Sequence, residues 1–92
     1  MSNRVIWRYS IPAKTEFDLE LEPGAKVVHV GDKAGEPQMW VLLDRHEPLG
    51  LRGFLVVATG ERVPDRAMKH LGTFQTPGPL VWHLFELFPE AS

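Results

Sequence analysis

The amino-acid sequence predicts a mainly β domain: an antiparallel β-sandwich or partly closed barrel with one short helix near residues 64–71. Three observations point there. Apolar and polar residues alternate with a period of two over residues 4–10 and 16–22, as in half-buried strands. Glycine and proline, eight of each in 92 residues, punctuate the chain at the close intervals of antiparallel turns. Two later runs, 51–59 and 80–88, are apolar on both faces, as strands interior to a sheet are.

In the first run, "RVIWRYS", Val5, Trp7 and Tyr9 share one face and Arg4, Arg8 and Ser10 the other. The second, "EFDLELE", sets Phe17, Leu19 and Leu21 against Glu16, Asp18, Glu20 and Glu22. Pro12 between them implies a hairpin placing Trp7 opposite Leu19, Tyr9 opposite Phe17 and Arg8 opposite Asp18, each pair contributing ~0.2–1 kcal/mol. A second hairpin joins 27–30 to 39–43 through the turn-rich "GDKAGEP"; "DRHEPLG" is a loop and 51–59 a central strand. The helix rests on Pro64 at the first position, Asp65 in the first turn, Lys69 and His70 in the last, and Gly72 just beyond. Ala67, Met68 and Leu71 form its apolar stripe, with Arg66, Lys69 and His70 on the opposite side. Two turns need tertiary packing to persist. "TPGP" then supplies a type II turn pairing 73–75 with 80–82, and the tail "PEAS" ends the order.

Composition reads as a single globular domain over 1–92, with 43% hydrophobic and 24% charged residues. A chain this short hides only about 60–65% of its unfolded surface. Its apolar run 80–88 is therefore expected to contribute to a homo-oligomer, a dimer or larger. The net charge of −2 gives no general attraction to duplex nucleic acid or to an anionic membrane. There is no cysteine, the opening "MSNRVIW" lacks a signal-peptide core, and no apolar run reaches membrane-spanning length. These point to the cytosol.

No nucleophile elbow, phosphate loop or zinc motif is present, so neither a catalytic residue, a metal nor a cofactor is expected. His83 lacks companions at ligand spacing and reads as a core or interface residue with both ring nitrogens partnered. The three tryptophans read as core. The acidic residues of 16–22 read as a solvated strand face that discourages aggregation. The most informative cluster is Arg62, Arg66, Lys69 and His70, a positive centre in an otherwise acidic chain. It is suited to a phosphate or to a partner's carboxylates.

"IWRYSIP", "LELEPGAKVVHVGDKAGEPQMWVLLD" and "ATGERVPDRAMKHLGTFQTPGPLVWHLFE" resemble a family of small proteins of unknown function common in phage and prophage genomes. Ser10 departs from that family's usual "IWRYPIP" opening, a difference confined to the local turn. The resemblance implies a phage setting and carries no catalytic residue. Together these readings lead to a non-enzymatic accessory protein in a host cytosol that counters host defence by sequestering a small anionic ligand such as a nucleotide. An inhibitor that masks a host protein is the alternative, and an enzyme acting on a nucleotide the third reading.

Overall fold

The computed structural model describes residues 3–89. The first two residues of the expected 1–92 domain and positions 90–92 of its tail lie outside them. Seven strands follow one another: β1 (Arg4–Ser10), β2 (Glu16–Leu21), β3 (Lys26–Lys33), β4 (Glu36–Asp44), β5 (Gly50–Ala58), β6 (Met68–Gln75) and β7 (Val81–Leu87). They form two antiparallel sheets, ordered β1-β4-β3 and β2-β5-β7-β6. The inward faces of both meet in one core. Val30, Met39 and Val41 come from the first sheet, and Phe17, Phe54, Val56 and Leu84 from the second. Phe17 and Phe54 stack with ring centroids 5.3 Å apart. The architecture is sandwich-like rather than a closed barrel, and no helix occurs among the described residues. None is therefore long and apolar enough to cross a membrane.

The edges of the two layers come close together where β3 lies against β6. A Cβ on Gly72 would sit 2.6 Å from the Cβ of Val30, so this approach requires glycine at position 72. On the other side β1 and β2 remain separate sheet edges. The exposed area of the chain is 6318 Å², against about 5400 Å² for a compact monomer of its mass.

The first expected hairpin does not form. β1 pairs with β4, placing Trp7 opposite Val41 and Arg8 opposite Trp40. β2 pairs with β5, placing Phe17 opposite Phe54 and Asp18 opposite Gly53. Alternation determines which face of a strand turns inward and is silent on its neighbour. β4 and β5, with their fully buried inner residues, bury more against β1 and β2 than those two could bury against each other. The connection 11–15 crosses between layers. The Ile11 amide donates to Pro37 O (3.0 Å), and the Val56 amide donates to Thr15 O (2.7 Å). The inward parity holds: Phe17 and Leu21 are buried, and Val5, Tyr9 and Leu19 pack partly against the core. Trp7, at the open edge, stays 48% exposed with the Arg45 guanidinium 4.9 Å over its ring.

The expected helix over 64–71 is also absent. Residues 64–67 belong to an irregular strap, and 68–71 begin β6, hydrogen-bonded along β7. A two-turn helix cannot offset its nucleation cost where a strand edge offers a full ladder. A bulge between His70 and Gly72 makes Leu71 the extra residue, and Met68 and Leu71, three apart as on one helical face, pack on opposite faces of the sheet, Met68 with the outer cluster and Leu71 with the core. The other two expected hairpins form. The 33–36 turn has positive φ at Ala34 (53°) and Gly35 (82°), as a two-residue hairpin requires. The β6–β7 hairpin forms with Gln75 opposite Val81 and Thr73 opposite His83, one residue further along than expected. β5 and β7 are interior strands, and Leu55, Val57 and Leu87 form a small second cluster on their outer face.

Candidate functional site

A cavity of about 580 Å³ opens at the end of the sandwich where β2 finishes and β3, β5 and β6 begin. That volume lies within the range of small-molecule sites. Leu21, Val27, Leu51, Leu71 and Phe88 supply apolar walls, and Lys26, Arg52, Lys69 and Glu86 supply charge. Arg52 and Glu86 face inward from neighbouring strands. The Arg52 Nε and Nη2 donate to the two Glu86 carboxylate oxygens at 2.7 and 2.8 Å. Its Nη1 donates to Ala25 O (2.6 Å) and Glu22 O (3.3 Å), tying down the 22–25 turn. The pair neutralises itself and fixes one wall. Lys26 and Lys69, exposed and making no ion pair among the described residues, are the charges left to face a ligand.

Among the four residues expected to form a positive centre, only Lys69 lines this cavity. In a strand, consecutive side chains alternate, so His70 points to the outer face and lies against Phe85. Arg66, on the strap, reaches Glu16 with Nη1 3.5 Å from Oε1. Arg62 is exposed on the strap. The shared helical face of Arg66, Lys69 and His70 disappears with the helix. Sequence reasoning missed Lys26, Arg52 and Glu86. A signal for the last two existed: one lone charge in each of two strands otherwise apolar on both faces implies a mutual pair.

His83 lies half-buried on the outer face rather than in the core, its nitrogens shared with two hydroxyls: Nε2 with Thr59 Oγ1 (2.9 Å) and Nδ1 with Thr73 Oγ1 (3.0 Å). Its ring centroid is 5.9 Å from that of His70. No group of three or more potential metal ligands converges among the described residues. Of the tryptophans, Trp82 packs against the core, whereas Trp40 lies on an outer face against His29 (5.1 Å) and Trp7 is at an edge. Glu22 leaves the acidic strand face: the turn closed by the Ala25 amide to Glu22 O (2.9 Å) swings it inward to 6% exposure, its Oε2 without a hydrogen-bond partner. A smaller cavity at the opposite end, about 330 Å³, is lined by Ile11, Val56, Phe74 and Trp82, with Lys14 as its one charged residue.

Residues 2–92 match a protein family described as a domain of unknown function, DUF7352, and the chain belongs to that family. No curated protein and no solved structure matches it.

Proposed function

We propose that this member of the DUF7352 family is a non-enzymatic binding protein that sequesters a small anion with an apolar or aromatic body, the class that includes nucleotides. The observation carrying this reading is that Lys26 and Lys69, which make no ion pair among the described residues, both line a mostly apolar cavity of about 580 Å³ in a chain of net charge −2. Ammonium groups there hold a phosphate or carboxylate, while Val27, Leu71 and Phe88 cover the body. In the phage setting that the sequence resemblance implies, removal of a nucleotide from the host cytosol counters a defence response.

Calorimetry against a panel of linear and cyclic nucleotides tests this. Lys26→Ala and Lys69→Ala should each weaken binding about 3- to 10-fold, as expected for partly exposed charge-assisted contacts. Binding lost with Arg62→Ala or Arg66→Ala, and kept with Lys69→Ala, moves the site to the strap. No heat with any nucleotide overturns the reading. One observation favours a second one: Asp18 and Glu20 are exposed on a sheet edge without ion pairs, a surface able to mask a basic patch on a host protein.

A further inference from the structure

We propose that the open side of the sandwich is closed by a second copy of the chain, β1 of each copy pairing antiparallel with β2 of the other. Both strands are uninterrupted sheet edges. β1 runs in unbroken register with β4 over seven residues, and β2 with β5 over six. Neither has the bulge or internal proline that commonly blunts an edge. Every second amide and carbonyl of each strand points away from the sheet and can extend the ladder.

The strand directions permit this pairing on both layers at once. β1 ends and β2 begins at the same end of the molecule, joined by 11–15, so the two run oppositely. A two-fold axis parallel to the strands on the open side places β1 beside the partner's β2 in one layer and β2 beside the partner's β1 in the other. Each three-stranded sheet then continues into the partner's four-stranded sheet with every neighbour across the new seams antiparallel.

Charge and burial select the register. The outward residues of β1 are Arg4, Ile6 and Arg8, and those of β2 are Glu16, Asp18 and Glu20. Arg4 facing Glu20 and Arg8 facing Glu16 set opposite charges across the seam, with Ile6 facing Asp18 between them. Among the described residues, Arg8, Asp18 and Glu20 make no ion pair. On the inward side the same register sets Val5 against Leu19 and Trp7 against Phe17, covering an indole that is 48% exposed.

Sedimentation and cross-linking test this. The wild-type chain at micromolar concentration should sediment at twice its 10.4 kDa mass. Ile6→Cys combined with Asp18→Cys, both exposed positions in a chain free of cysteine, should form disulfide-linked dimers on mild oxidation, while Ile6→Cys combined with Val63→Cys should not. Arg8→Glu should weaken association at least tenfold, and adding Glu16→Arg should restore it. A 10.4 kDa mass at every concentration overturns the proposal. So does a dimer in which the Ile6/Asp18 cysteine pair links no better than the Ile6/Val63 pair.

Discussion

Tyr9 is the only tyrosine in the chain, and its proton reports on the open side. Burial first, and the Glu22 carboxylate second, raise its pKa above the ordinary 10.0, against a downward pull from Arg45. The folded state keeps the phenolic proton at pH values where the unfolded chain has released it. Stability from neutral Tyr9 is therefore fully present below the unfolded value and lost as pH rises through the folded one. Tyrosinate absorbance should show a midpoint above 10.0 in the folded protein, falling toward 10.0 in concentrated urea. Glu22→Gln should lower the folded midpoint. A midpoint that ignores unfolding contradicts the placement of Tyr9. A second residue-scale expectation concerns the Arg52–Glu86 pair, whose side chains are 18% and 12% exposed. Glu86→Ala should cost about 2–4 kcal/mol by chemical denaturation, because it leaves a guanidinium mostly buried without its carboxylate. Arg52→Met with Glu86→Leu should cost less, since no charge is then stranded.

Strands and turns divide into what local chemistry specifies and what it leaves open. The β3–β4 turn was legible because positive φ at Ala34 and Gly35 belongs to a local motif. The inward faces of β1 and β2 were legible because alternation has a fixed period. Their partners were not, because β4 and β5 win through burial summed across the whole sheet. β6 imitates a helix in sequence because Met68 and Leu71 are three apart, a spacing that here spans both faces of a strand, and because Gly72 stands where a helix would end, its place being a close contact with Val30. Gly72→Ala should therefore destabilise the fold by about 1–3 kcal/mol through overpacking. With Val30→Gly beside it, which removes the Val30 Cβ that a Cβ at 72 would meet at 2.6 Å, the cost of the alanine at 72 should fall, and a double-mutant cycle by denaturant melting measures that coupling. Additive effects would place the β3–β6 contact elsewhere.

At the scale of the whole molecule, the candidate site is a product of topology. Lys26, Arg52, Lys69 and Glu86 come from four different strands and meet only because β3 closes on β6 while β5 and β7 lie side by side. Of these, Lys69 alone was singled out from sequence, and for a helical face that does not exist. A positive cluster in sequence is a cluster in space only when the backbone between its members bends them together. Here Arg62 and Arg66 stay on the strap and His70 turns outward. The most direct test of the account is the amide NMR spectrum of the isotopically labelled chain, titrated with the tightest-binding nucleotide from the calorimetric panel. Shifts should concentrate at Lys26, Val27, Leu51, Lys69 and Leu71, from strands distant in sequence but joined around one cavity. Shifts confined to residues 61–67, or no shifts at saturating nucleotide, would contradict it.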